Sequence, residues 1–514
     1  MADTSLLERI NTATNGVNQD NFAAKQAELM TFIAQLNSED EEIRIWIPNA
    51  SNFGHQSTSV HIMYRLAAMG AKKIRIIYAP GEENENWKKL YILILGLPAK
   101  PVDQYELDKQ TTLYFSEGSV SEPLSLSPFG ITGGWDGNSE DAIIRFLVGN
   151  FCCLQPFLWT GAHQGENPFI AATNKMYILE DEEEEDVVTI PFPPEYRMVQ
   201  RGYYFEQPTL TKKDWEEFTR RNSKQAELIK TIEELVLTHQ ALLVPVYFSP
   251  GRAIAEFHDL FFNLFLGIRS FQERVKAGPV IVLVMSRPQL KGYEALEATF
   301  NGDAVYNPFR SGNIVTRKRD DQSYQYLESM GYINFLQNDV RLFKDQEITG
   351  AQLDHAIKSH SLVQVSALEL PRVVFDYMYG LSNLTMVFEG AGTGNLVINL
   401  GKPFIRIRGA DDENTKTYTN MYRTNLNPTT NTPFAKYGER LAVTMETNAD
   451  KWEDLMNSFS EKLPDEFIGD FLIDANRPYP SLYYAFRQQR EFYHSIYEDK
   501  LLVALHYWLS ITPQ

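Results

Sequence analysis

Between Ile43 and Tyr78 the sequence contains a complete strand, loop, helix and strand, and such a unit leaves few folds open. Ile43-Arg44-Ile45-Trp46-Ile47-Pro48 has the alternation of a strand and runs into a loop over 49–56. A helix follows, with Ser57, Thr58 and Ser59 as capping candidates and Val60, Met63, Leu66 and Met69 on one face. Gly70 ends it before a second strand over 73–78. A helix joining two strands covers one face of the sheet they form, so the strands pair in parallel. A lead-in helix over 22–36, strands over 111–115 and 157–160, and helices over 85–95 and 141–149 extend this into an α/β domain ending near 205. The acidic run over 180–186 reads as a solvated loop.

With 514 residues, the chain exceeds what one core normally organises. A second α/β series opens after a helical stretch over 215–240, with an apolar strand over 241–248 that turns at Ser249-Pro250-Gly251-Arg252 into an amphipathic helix. Strands over 280–285, 362–365, 384–388 and 404–407 complete it. The last stretch carries Phe492, Ile496, Leu501, Leu505 and Trp508 at helical spacing, and that face must be buried. The expected organisation is therefore a first domain over 1–205, a second over 206–479, and a helical segment over 480–514 that packs back on the first.

The chemistry concentrates where the strand ending at Phe388 enters Glu389-Gly390-Ala391-Gly392-Thr393-Gly394-Asn395, followed by a short helix over 396–400 and Gly401-Lys402-Pro403. Glycines let a backbone approach a ligand closely, and a helix start offers unpaired N–H groups at the positive end of its dipole. A diphosphate fits that description. The Walker A pattern does not, because six residues separate Gly394 from Gly401-Lys402 and Pro403 follows. A dinucleotide fingerprint beginning at Gly390 places its third glycine one position early and its helix is too short.

The stretch over 362–408, with its strand, small-residue turn, short helix and Gly-x-Pro, resembles the donor-binding segment of two-Rossmann (GT-B) glycosyltransferases. That superfamily also contains the nucleotide-sugar 2-epimerases. The resemblance implies an α/β chain with two Rossmann-like domains facing a cleft and a final helix crossing back to the first domain. It implies that Gly390, Gly392, Thr393 and Gly394, within the loop that Glu389 and Asn395 bound, hold the donor diphosphate, while Ser249, Gly251 and Arg252 approach it from the other side. Leu396 stands where many members carry a ribose-binding Glu, so another residue, such as Glu389, would read the ribose unless activity has been lost.

In the first domain, Asn52, Gly54, His55 and Gln56 lie in the loop after the first strand, at the end of an open α/β sheet where ligands bind. Inverting members of the family often place the acceptor-activating base in this loop, frequently a His, so His55 is the candidate base. The other reading of His55 is a hydrogen-bonded structural residue. His163, in Thr160-Gly161-Ala162-His163-Gln164, is a second cleft candidate.

Composition narrows the partners. A formal charge of -19 disfavours nucleic acid, and the only cysteines, Cys152 and Cys153, are adjacent, forming neither a disulfide framework nor a spaced metal site. No apolar run approaches the roughly 20 residues of a membrane span, and no signal peptide pattern opens the chain. The expectation is a soluble, cytoplasmic glycosyltransferase without cofactor or metal. A nucleotide diphosphate sugar would be its co-substrate, and a sugar, protein or small molecule its acceptor.

Overall fold

The computed structural model describes residues 19–49, 53–120, 125–134, 146–154, 175–181, 186–191, 204, 208–247, 257–286, 293–294, 297, 301, 328–344, 348–388, 391–406, 464–477, 486–487, 490 and 500–511. The chain divides into two compact units, 1–207 with 490–514, and 208–489.

The first unit runs α1 (Gln19–Ser38), β1 (Ile43–Ile47), α2 (Gly54–Ala68), β2 (Lys73–Tyr78), α3 (Glu85–Leu93), β3 (Gln104–Glu106), β4 (Thr112–Glu117), β5 (Gly130–Thr132), β6 (Asn150–Cys153), β7 (Lys175–Asp181) and β8 (Asp186–Pro191), and ends on α12 (Lys500–Ile511). Its eight-stranded sheet has the order β3-β4-β2-β1-β5-β6-β7-β8. The segment β4-β2-β1-β5-β6 is parallel, and β3, β7 and β8 add antiparallel edges. Ile45, Ile47, Ile74, Ile76 and Ile131 of the sheet meet Val60, Met63 and Leu66 of α2, all buried. Leu501, Leu505 and Trp508 of α12 enter the same core, where the Trp508 ring lies 4.6 Å from Phe32 and 4.7 Å from Phe129.

At the other end of β1, Glu42 accepts hydrogen bonds from Arg44 Nε and Arg75 Nε, each at 2.7 Å. The Arg44 guanidinium also donates to the carbonyls of Ser125 at 2.8 Å, Phe146 at 2.9 Å and Leu147 at 2.5 Å. This corrects the helix expected over 141–149 for its described part. Phe146 and Leu147 form a turn, with Leu147 left-handed at φ 50 and its carbonyl accepting from Arg44 and from the Ser127 N–H rather than from a helical partner, and Val148 makes a parallel bridge to Ser127. The acidic run is corrected as well: Glu180 and Asp181 lie in β7 and Asp186 opens β8, while 182–185 lie outside the described residues. The pairing is made by the backbone, which places no requirement for apolar side chains on an edge hairpin.

The second unit comprises α4 (Lys212–Arg221), α5 (Ser223–Leu237), β9 (Leu242–Tyr247), α6 (Phe257–Val275), β10 (Val280–Val284), α7 (Tyr332–Asn338), β11 (Val340–Leu342), α8 (Gly350–Ser359), β12 (Leu362–Ser366), α9 (Arg372–Leu381), β13 (Met386–Phe388), α10 (Ala391–Leu400), β14 (Phe404–Arg406) and α11 (Pro464–Asn476). Its sheet, β11-β12-β10-β9-β13-β14, is parallel throughout. Such a sheet is covered on both faces, which is why every residue of β10 and β12 is buried. Gly267 of α6 packs against Ile468 of α11 and Gly469 against Ser270, so the absence of side chains lets these helices touch.

The two sheets share one plan. In each, the unit's first strand (β1, β9) is central, the next parallel strands (β2 and β4, β10 and β12) are added on one side, and the later ones (β5 and β6, β13 and β14) on the other. This order is compatible with Rossmann-like domains, and it reverses at β1/β5 and at β9/β13, the places where ligands bind outside the carboxyl ends of strands. Among the described residues, no helix is long and apolar enough to cross a membrane.

Candidate functional sites at the strand-order reversals

In the second unit, β13 ends at Phe388 and α10 begins at Ala391, directly at the reversal. Gly392, Thr393, Gly394 and Asn395 therefore belong to the first turns of the helix, correcting the expectation of a loop reaching Asn395 and a helix from Leu396. The early start is physically reasonable, because first-turn N–H groups lack helical partners in any case and the buried run Leu396, Val397 and Ile398 anchors the helix to the core. A Cβ on Gly392 would meet nothing within 4 Å, so its backbone borders open space. Thr393 is 8% exposed and Asn395 1%, which places the Asn395 carboxamide in the interior rather than at an open site. Leu396, at 1%, is a core residue.

Gly401, at φ 61, ends α10, and Lys402 Nζ donates to the carbonyls of Gly380 and Ser382, the latter at 2.9 Å. Lys402 thus closes the carboxyl end of α9, a use that favours a cation at that pole of the helix. Arg372 opens α9 and donates from Nε to Asp376 Oδ2 at 3.1 Å.

In the first unit, α2 starts at Gly54, so Gly54, His55 and Gln56 form its first turn instead of a preceding loop. The hydroxyls expected to cap it are used inside: Thr58 Oγ1 donates to the Gly54 carbonyl at 3.0 Å, and Ser59 Oγ accepts the Gly133 N–H at 3.1 Å. The fully buried Gln56 donates from Nε2 to the Pro48 carbonyl at 3.3 Å. His55 is half-buried, and that burial pushes its pKa below the ordinary 6.5. The imidazole is therefore neutral at physiological pH and able to accept a proton.

Gly133 and Gly134 follow β5 and close on this turn. A Cβ on Gly134 would lie 2.8 Å from Pro48 Cγ and 2.9 Å from His55 Cβ, distances that real carbons do not adopt. Gly134→Ala is expected to displace the His55 turn and lower stability by about 1–3 kcal/mol, the usual cost of overpacking. Thermal unfolding checks it, and an unchanged melting temperature would show that the turn yields freely.

The same edge holds groups that no motif marks as functional. Cys153 donates from Sγ to the Gly134 carbonyl at 3.3 Å, and Tyr204 donates its hydroxyl to the Leu154 carbonyl at 2.6 Å. Lys500, the first residue of α12, is fully buried; desolvation pushes its amine down to about 7, against a weaker opposing effect of Cys153. In the second unit, at the carboxyl end of β12, Gln364 Nε2 donates to the Tyr293 hydroxyl at 2.8 Å, which lies 3.1 Å from Ser366 Oγ. Burial raises the Tyr293 phenol to about 12.

Asn52, His163, Ser249, Gly251, Arg252, Glu389 and Gly390 lie outside the described residues. Among the described residues, no group of His, Cys, Asp and Glu is arranged to hold a metal ion. Compared with protein-family models and with curated proteins, the chain matches none.

Proposed function

We propose that the chain is a glycosyltransferase that moves a sugar from a nucleotide diphosphate sugar to an acceptor hydroxyl, with the donor bound by the second unit and the acceptor by the first. The observation that carries this reading is the start of α10 at the strand-order reversal of the second sheet, with Gly392 bordering open space beside a helix amino terminus. That terminus suits a diphosphate, whose charge it would stabilise as the leaving group departs. His55, held neutral in the corresponding turn of the first unit, takes the acceptor proton. The acceptor oxygen attacks the anomeric carbon, the bond to the diphosphate breaks, and inversion follows from this single displacement.

Leu396 favours a second reading. Its burial in the core means that no side chain at that position reads a ribose, which fits a descendant of the fold that binds carbohydrate or protein without turnover. Incubation of the pure protein with a panel of sugar nucleotides separates the readings. Free nucleoside diphosphate and a glycosylated acceptor support transfer, an interconverted sugar supports 2-epimerisation, and binding without chemistry supports the module. Gly392→Val is expected to weaken donor binding at least about tenfold by filling the open approach, measurable by calorimetry.

A further inference from the structure

We propose that the groove along α4 and α5 of the second unit is a binding site for a neutral carbohydrate, separate from the sites at the strand-order reversals. The groove is shallow and open to solvent, with a volume of roughly 770 Å3, and is lined by Trp215, Leu237, Lys212, Lys230, Glu233 and Glu234. α4 is polar along its length, and of its large apolar residues only Phe218 is buried; Trp215, one turn earlier, leaves its indole half-exposed in the groove.

The indole is fixed in place. Its ring lies 6.2 Å from Phe218 and stands edge-on to Tyr377 at 6.4 Å, and the Tyr377 hydroxyl is hydrogen-bonded to Glu233. Thr211 caps α4 reciprocally with Asp214, the neighbour of Trp215. Lys230 places its ammonium 5.3 Å from the centre of the indole ring, but it is exposed and carried on a flexible stem. It can leave the ring face to an entering ligand.

The chemistry of the lining selects the ligand class. Within the lining, two ammonium groups and two carboxylates balance, so the groove's own residues select neither an anion nor a cation. An aromatic face beside an exposed Leu237, 60% accessible, asks for an apolar surface, while the surrounding charged groups ask for many hydrogen bonds. A pyranose meets both demands, with C–H groups on one face and hydroxyls around its rim.

A glycan array probed with the full chain, followed by calorimetry and tryptophan fluorescence with the best oligosaccharide, tests the proposal. Binding is expected in the wild type and in His55→Ala, about tenfold weaker or worse in Trp215→Ala, and intermediate in Trp215→Phe, with unfolding temperatures of the variants matching the wild type. Retained affinity in Trp215→Ala, loss of affinity in His55→Ala alone, or no glycan bound across the array overturns it. The proposed transfer reaction is untouched by that failure, because its own readout is nucleoside diphosphate release.

Discussion

His55→Ala is expected to reduce turnover by about a hundredfold to ten-thousandfold while changing donor affinity by no more than about twofold. A general base acts on the acceptor in the transition state, and His55 sits in the first turn of α2, in the unit assigned to the acceptor. Its pKa is lowered from 6.5 by burial, so the acid limb of the kcat/KM profile should fall below pH 6.5, and rate should be independent of this group above it. Wild-type turnover in the variant would return His55 to a structural role. A loss of donor affinity equal to the loss of rate would show instead that the substitution damaged the fold or the donor site.

The second large effect concerns stability. Lys500→Met is expected to stabilise the first unit at neutral pH, although it removes a charged residue from the start of a helix. The amine falls from the ordinary 10.5 to about 7 because it is buried. At about 1.4 kcal/mol per pH unit this corresponds to a cost on the order of 4–5 kcal/mol, reduced in practice by whatever polar contacts the lysine makes. Its position at the positive end of α12 disfavours the ammonium further. Between pH 7 and 10.5 the unfolded chain binds the proton that the folded chain does not, so this group makes stability rise with pH across that window and contributes no slope below it. Denaturant unfolding from pH 6.5 to 8.5 should therefore show an increase in the wild type that is missing in Lys500→Met. Parallel curves would mean that the amine is solvated or paired well enough to stay charged.

How much of this was legible depended on how strongly each residue's role follows from its type. The central strands β9, β10 and β12 are apolar runs because both of their faces are covered, and such runs can be read directly. β5 and β11 are three residues long, too short for a period to register, and the β7–β8 hairpin carries Glu180, Asp181 and Asp186, whose charge points to a loop. The boundary of α2 was misplaced because Thr58 and Ser59 have the composition of a cap, whereas their hydroxyls serve Gly54 and Gly133. Gly392 could be found from its setting between a strand and a helix. Lys500 could not, since a lysine reads as surface until the helix carrying it is seen in the core, and Gly134 acquires meaning only from the folded distance to His55.

The first unit is discontinuous in sequence, and this bears on how a ribosome can make it. Its sheet and α2 are encoded before residue 208, but Leu501, Leu505 and Trp508, which complete its core, follow the entire second unit. At about 5–20 residues per second, translation of the intervening stretch takes roughly 15–60 s. During that time the nascent sheet holds an unfilled apolar face beside Phe32 and Phe129, the residues that Trp508 later covers. The second unit, contiguous over 208–489, is synthesised in full before α12. The core of the first unit can therefore close only after the second unit has been synthesised.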